Sequence, residues 1–308
     1  MRRGFRFVQS GLAIALAALL AGAGEASAGA TRQLADLLVA DARLATEVAR
    51  GGWSGAAREL LADDGIVLLP GEDLPSGSHQ AARQVARWSE SAREPALHHL
   101  AAAVSQDGRL GFSAGWAEQQ EGGGKTFLRY VAVWTRRAGC YRVAVLALAR
   151  AKKPAGPPPA DSAIARHYSG SAQPQDEGQL RSEVLATDRA FAARAAAIAA
   201  SSGFGPAFVE FADPNAVAIG QDEIGWGRKE VGEAYAKTDP GERLGWEPVA
   251  GGTAGSGDLA WTVGLAVYEP PRGRPAYSKY LTIWARQPDG SFKWLVDVGV
   301  SRPAPASR

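Results

Sequence analysis

Two aspartates have side chains suited to proton transfer. Asp188 lies on the apolar stripe of a predicted helix, and Asp297 follows the apolar end of a predicted strand. Apolar surroundings raise the pKa of a carboxyl toward the range in which it acts as a general acid or base. If the two carboxyls converge, each raises the pKa of the other, and the pair can shuttle a proton.

Each aspartate also has a structural interpretation. Asp188 could accept hydrogen bonds from indole or backbone donors and fix its helix against the sheet, and Asp41 occupies the matching place in the first half of the chain. Strand alternation places Asp297 on the same face as Leu295 and Lys293, where an ion pair with Lys293 would occupy it. Both interpretations remain open at this point.

Aromatic residues are concentrated in the second half of the chain. Trp261 and Trp284 match Phe112 and Trp134 of the first half, which predicts a place in the core. Other aromatic residues lack such counterparts or add phenol groups, and they predict a pocket for a small apolar or aromatic ligand. The residues predicted to line this pocket are Trp226, Trp246, Tyr235 and Tyr268.

The histidines and the single cysteine are not arranged for metal binding or for nucleophilic catalysis. His98 and His99 are neighbours in a predicted strand and point to opposite faces, and His79 and His167 lie far away in sequence. Cys140 has no evident histidine to act as its base. The sequence therefore predicts no metal site, no cofactor and no cysteine nucleophile.

The amino terminus has the three parts of a secretory signal peptide. Arg2 and Arg3 are followed by an uncharged apolar run at 12–21 and by small residues at 26–28. The run is shorter than the about 20 apolar residues of a membrane-spanning helix. Cleavage after 1–28 would leave a periplasmic or secreted protein without membrane insertion, and the general and twin-arginine export routes both stay open.

The charge balance argues against nucleic acid as a partner. The chain has 34 basic and 32 acidic residues, and three arginines and one glutamate lie in residues 1–28. The remaining chain thus has 31 of each sign and no net charge. Sequence-independent binding to nucleic acid requires a basic surface, which this composition does not provide.

The chain without its leader consists of two similar halves. Strand-like segments at 130–134 and 280–284 match in order and spacing, as do the helices before them. We predict a first domain at 29–151, a linker rich in Pro, Gly and Ser at 152–178, a second domain at 179–302 and a disordered tail at 303–308. The fold class is α+β, with two tandem cone-shaped domains, each with about three helices on a curved antiparallel sheet.

The second half resembles a known family. Its strings at 244–248, 280–284 and 289–297 are similar to SnoaL-like or domain-of-unknown-function-4440 modules of the nuclear transport factor 2-like superfamily. The resemblance spans nearly all of 180–301 and is fainter over 34–149. It implies a cone of three helices and a bent sheet around a pocket, often dimeric through the sheet.

The resemblance leaves the activity open, because the superfamily includes enzymes, ligand binders and association modules. Ketosteroid isomerases of this superfamily remove a proton with an aspartate and stabilise the enolate with polar donors. By analogy Asp297 or Asp188 would be the acid or base and Tyr280 a donor. The catalytic residues of those enzymes do not map onto this chain position by position, which favours a role without catalysis.

These observations predict an exported protein that binds a small apolar or aromatic ligand in the second domain. The alternatives are an association module with filled pockets and an isomerase-like or cyclase-like enzyme. The two halves are expected to pack as an intrachain pseudo-dimer, which would leave the protein monomeric in solution.

Overall fold

A computed structural model describes residues 25–75, 77–159, 165–167, 175–236, 238 and 241–305. For 25–28 and 165–167 it describes the backbone alone. The predicted signal peptide therefore lies outside the described residues except for 25–28. The same holds for the linker residues 160–164 and 168–174 and for the tail residues 306–308, so these boundaries stay predictions.

The first domain begins with a long helix that bends at Gly52. Gly52 has φ 65°, a left-handed conformation that glycine adopts without steric cost, so the segment acts as two helices. The elements follow in the order α1 (Glu25–Leu60), β1 (Leu61–Leu68), α2 (Ser78–Trp88), β2 (Arg93–Val104), β3 (Leu110–Glu121), β4 (Gly124–Arg137), β5 (Cys140–Ala151) and β6 (Ala165–His167).

The second domain repeats this order of helices and strands. Asp176 caps its first helix by accepting hydrogen bonds from the backbone N–H groups of Gly178 and Gln179. The elements are α3 (Glu177–Ser202), α4 (Gly205–Phe211), β7 (Ala212–Ile219), β8 (Ile224–Trp226), α5 (Gly227–Tyr235), β9 (Arg243–Thr253), β10 (Leu259–Glu269), β11 (Ala276–Arg286) and β12 (Phe292–Ser301).

Each domain contains one six-stranded sheet. The orders are β1-β5-β4-β3-β2-β6 and β8-β7-β12-β11-β10-β9. The sheets are mixed rather than wholly antiparallel, because the strand that follows the first helices pairs in parallel with the last long strand of its domain. The short β6 also pairs in parallel with β2, so three residues of the predicted linker belong to a sheet. The α+β class and the two domains agree with the sequence prediction.

Equivalent β-bulges bend the two sheets. Opposite Val133 and Trp134 of β4, the partner strand β5 has one extra residue, and β12 has one opposite Ile283 and Trp284 of β11. A bulge adds a residue to one strand and increases the local bend and twist. Both tryptophans are fully buried beneath the helices. The bend lets each sheet curve around its helices and enclose a core.

The outer faces of the two sheets pack against each other. One apolar cluster combines Val131 and Val133 of the first domain with Val263, Leu281 and Ile283 of the second. This contact buries the sheet face that the helices leave uncovered, as a sheet with two apolar faces requires.

Reciprocal hydrogen bonds join the hairpin turns at the edge of this contact. The backbone N–H of Gln106 donates to Asp258 Oδ2 at 2.9 Å, and the backbone N–H of Ser256 donates to Asp107 Oδ2 at 3.1 Å. Such a reciprocal pair is typical of two similar units related by a two-fold axis. Among the residues described, no helix combines the length and the hydropathy that crossing a membrane requires.

Candidate functional site

A cavity of about 660 Å³ lies between the helices and the sheet of the second domain. Its apolar wall comprises Phe191 and Phe208 from the helices, together with Tyr235 and Trp246. The ring centroids of Phe208 and Tyr235 are 4.2 Å apart, and those of Phe191 and Trp246 are 4.7 Å apart. These contacts fix the rings in place, so the wall is formed before any ligand binds.

Asp297 lies in the polar part of the cavity wall. Strand alternation had placed it with Leu295 and Lys293, opposite Trp294, and the structure shows a different arrangement. The bulge between Trp294 and Val296 adds a residue, so Leu295 joins the interdomain cluster while Asp297 faces the cavity. The predicted pairing with Lys293 does not form, since Lys293 Nζ donates to the carbonyl of Glu210.

The environment of Asp297 raises the pKa of its carboxyl to about 6, mainly because burial penalises the charged form. The hydroxyl of Thr282 donates to Asp297 Oδ1 at 2.6 Å and opposes this rise, whereas the charge of Asp188 adds to it. A carboxyl with this pKa changes its charge near neutral pH. It can therefore give or take a proton at a ligand in the cavity.

Asp188 lies behind the cavity wall and is only 1% exposed. Its Oδ1 accepts a hydrogen bond from Trp246 Nε1 at 2.8 Å, and its Oδ2 accepts one from the Tyr280 hydroxyl at 2.8 Å. Burial raises the pKa of Asp188, against the hydrogen bonds from Thr262, Trp246 and Tyr280, which lower it. Asp188 thus holds two cavity-lining side chains in position.

Glycine opposite the tyrosine makes this arrangement possible. Gly264 pairs with Tyr280 across β10 and β11, and a Cβ at Gly264 would collide with the Tyr280 ring. The ring therefore lies across the strand and brings its hydroxyl to Asp188. Burial, followed by the charge of Asp188, raises the pKa of the Tyr280 hydroxyl, so it remains a donor at neutral pH.

The structure brings together five of the seven residues predicted from the sequence. Tyr280, Trp246, Tyr235 and Asp297 line the cavity, and Asp188 contacts two of them. The other two lie elsewhere in the second domain. Trp226 borders a smaller cavity, and Tyr268 packs near Phe204 at 6.4 Å between ring centroids.

Comparison with known proteins gives matches among solved structures only. No protein-family model and no curated protein matches the sequence. A ketosteroid isomerase-like protein from Erwinia carotovora atroseptica is 18% identical, covers 40% of this chain and 98% of its own length, and has a TM-score of 0.33. A nuclear transport factor 2-like protein of unknown function from Pseudomonas putida is 14% identical, with 39% and 87% covered and a TM-score of 0.31.

Each match spans about the length of one domain. Both domains consist of helices packed on a bent sheet. The observed elements agree with what the resemblance implies, namely helices on a bent sheet, with a cavity between them in the second domain. These likenesses concern the fold alone, and the site must be judged from its own side chains.

The first domain has an equivalent aspartate cluster. Asp41 accepts hydrogen bonds from the Ser113 hydroxyl at 2.6 Å and from the Tyr130 hydroxyl at 3.2 Å, and His99 Nδ1 lies 2.8 Å from it. Gly115 faces Tyr130 as Gly264 faces Tyr280. A cluster that persists without Asp297 favours the structural interpretation of Asp188.

The first domain fills the space that is open in the second. The strand registers place Leu148 where the second domain has Gly299, and Leu146 where it has Asp297. The same comparison places larger apolar side chains at three further cavity positions. These pairs are Leu128 and Ser278, Val67 and Ala218, and Leu69 and Gly220. The five larger side chains are all buried in the first-domain core.

The histidines and Cys140 are not among the described residues that line the cavity. His98 stacks on Trp116 with 3.9 Å between ring centroids, and Cys140 is exposed. Within the described part of the chain, no three side chains of the His, Cys, Asp and Glu types form a metal-binding group. His79 lies in α2, and His167 lies in β6, where only the backbone is described.

Proposed function

We propose that the second domain binds a small, largely apolar or aromatic molecule in its cavity. The observation that carries this proposal is the contrast between the domains. Five leucine or valine side chains occupy the first cone, and Gly, Ala, Ser or Asp at the same five places leaves about 660 Å³ open in the second. Aromatic rings and a few polar groups are typical of a small-molecule site.

The charged groups of the cavity narrow the class of ligand. The ionisable acids among its lining residues are Asp297, Glu223, Glu230 and Glu233, and no lysine, arginine or histidine lines it among the described residues. Carboxylates repel an anion and attract a cation, most strongly where water is excluded. The ligand should therefore be uncharged or cationic.

A pair of matched fluorescent probes tests the binding site. N-phenylnaphthylamine is neutral and aromatic, and anilinonaphthalene sulfonate has the same rings with a negative charge. We expect the neutral probe to bind about tenfold more tightly at pH 7.5, because a like-charge contact costs about 1 kcal/mol or more and about 1.4 kcal/mol is a tenfold change in affinity. Equal affinity, or tighter binding of the sulfonate, would contradict the proposed class of ligand.

The proposal includes export and a monomeric state. Packing of the two sheets covers the surface through which related domains often dimerise, so light scattering after size-exclusion chromatography should give the mass of one chain. The filled first domain then acts as the packing partner of the second. A chain of twice that mass at micromolar concentration would contradict this arrangement. Recovery of the protein from the periplasm or medium of an expressing cell tests the export.

A second candidate function is proton transfer by Asp297, favoured by its pKa of about 6 and its place in the cavity wall. Its carboxylate would remove a proton from a carbon next to a carbonyl group, the electron pair passing to the carbonyl oxygen as an enolate. Deuterium incorporation into an aryl methyl ketone, followed by NMR, tests this step. Asp297→Asn should abolish any exchange above the buffer rate, and exchange unchanged in that variant would exclude Asp297.

Asp297 also predicts a pH dependence of stability. Its pKa is about 6 in the folded protein against an ordinary value of 3.8, so the folded state binds the proton more tightly. The free energy of unfolding should therefore fall by about 1 to 3 kcal/mol as the pH rises from about 4 to 6. Urea unfolding across this range measures the slope.

Asp297→Asn is the matched variant, because its side-chain oxygen can still accept the hydrogen bond from Thr282. The variant should lose this part of the pH slope and should be the more stable protein at pH 7.5. A slope identical to that of the wild type would assign the pH dependence to other groups.

A further inference from the structure

Arg129 is a fully buried charge between the two domains. It lies on β4, next to Tyr130, and faces the second domain with 1% of its surface exposed. Its counterpart in the second domain is Lys279, which precedes Tyr280 on β11 and is also fully buried. The two cations thus occupy equivalent places on the packed sheet faces, and a buried charge requires compensation.

Lys279 is compensated by backbone carbonyls. Its Nζ donates to the carbonyl of Leu69 at 2.7 Å, to that of Glu72, and to that of Ser301 at 3.4 Å. Two of these carbonyls belong to the turn after β1 of the first domain. Three acceptors are what an ammonium group can use.

Arg129 lacks comparable hydrogen-bond acceptors among the described residues. Its Nε and Nη1 have no hydrogen-bond acceptor in the described part of the chain. The corresponding turn after β7 closes on itself, because the N–H of Gly220 donates to the carbonyl of Glu223 at 3.0 Å. The carbonyl of Gln221 in that turn accepts from the N–H of Lys152 instead.

Nearby carboxylates are already paired with other cations. Lys152 Nζ lies 3.0 Å from Asp222 Oδ2, and Lys153 Nζ lies 3.2 Å from Glu223 Oε1. Each of these pairs is neutral in itself, so the guanidinium of Arg129 is left as the uncompensated charge among these residues. An unpaired buried charge costs several kcal/mol, unlike a charge that is paired and hydrogen-bonded.

Arg129 also lines a second cavity, of about 250 Å³. Residues 153–157, Ile224 and Trp226 line it as well, together with Asp222 and Glu223, whose carboxylates pair with Lys152 and Lys153. The planar fork of a guanidinium matches the two oxygens of a carboxylate or a phosphate. The volume suits such an anion and is much smaller than the ligand cavity.

We propose that a small oxyanion binds between the two domains, held by the guanidinium of Arg129 with Lys153 at the edge of the site. The anion compensates the charge of Arg129, as the backbone carbonyls compensate that of Lys279. It also links the first domain to the turn after β7 of the second domain. Carboxylates and phosphates share the required geometry, and the experiment separates them. The proposal does not depend on the ligand of the larger cavity.

The test measures thermal unfolding of the full chain in sodium phosphate and in sodium succinate. Sodium chloride keeps the ionic strength constant and is the reference. We expect one oxyanion to raise the Tm by about 2 to 4 °C in a saturable way, because a ligand that binds only the folded state stabilises it. The anion that saturates at the lower concentration identifies the class.

Variants locate the effect. Arg129→Met should weaken the apparent affinity for the oxyanion by about tenfold or more. Arg129→Lys keeps the positive charge but lacks the planar guanidinium, and it replaces Arg129→Met in the test if that variant does not fold. Lys279→Met is the matched control and should keep the response. The proposal is overturned if neither oxyanion raises the Tm above that in chloride. It is also overturned if an Arg129 variant responds like the wild type.

Discussion

A Gly299→Leu/Ser278→Leu variant should lose affinity for N-phenylnaphthylamine by about 100-fold while remaining folded. The two leucines reproduce Leu148 and Leu128, which fill the same places in the first domain. A ligand that must share the cavity with each new side chain loses about 1 to 3 kcal/mol per leucine. Fluorescence titration of the probe measures the loss.

The backbone tolerates this change. A Cβ at Gly299 meets nothing within 4 Å, and its φ is not in the left-handed region, so the added side chain extends into open space. Burying new apolar surface is favourable, and the free energy of unfolding should not fall. The single variants should show intermediate affinities.

Gly124→Leu is the control, because a Cβ there also meets nothing within 4 Å and the residue lies in a hairpin of the first domain. It should bind the probe as the wild type does. If the double variant folds and binds the probe with unchanged affinity, the cavity is not the binding site.

The fold could be predicted from the sequence because its signals are local and occur twice. The order of helices and strands and the buried Trp134 and Trp284 agree with the structure. The parallel pairing of β1 with β5 could not be read from a pattern of single strands, since it depends on where the chain returns after the helices.

The site was harder to predict, because it depends on a single inserted residue. Strict alternation along β12 gives the wrong partners for Asp297, and the bulge at Leu295 reverses the face of every residue before it. Thr282 and Gly299 were also missed. A comparison of the halves would have indicated them, since Ala132 and Leu148 stand in their places and cannot form a polar, open wall.

Asp188→Ala should lower the free energy of unfolding by about 3 to 5 kcal/mol. The change leaves the Trp246 indole N–H and the Tyr280 hydroxyl without their acceptor, and each buried donor without a partner costs about 1 to 3 kcal/mol. Asp41→Ala should cost a similar amount, because Ser113 and Tyr130 lose theirs. Urea unfolding of both variants measures these losses. Asp64→Ala is the control, because it removes only an exposed ion pair with Arg137, and it should change the free energy of unfolding by less than about 1 kcal/mol.

This comparison separates the two interpretations of Asp188. A structural aspartate predicts equal losses in the two domains, although only the second has the open cavity. Asp188→Asn should lower the free energy of unfolding less than Asp188→Ala, since the amide oxygen still accepts one hydrogen bond. Its affinity for the neutral probe should fall only to the extent that Trp246 and Tyr280 change position. If Asp188→Asn keeps full stability but loses probe binding or ketone exchange, Asp188 acts on the ligand directly, and Asp41 is then the remnant of a site that the leucines of the first domain closed.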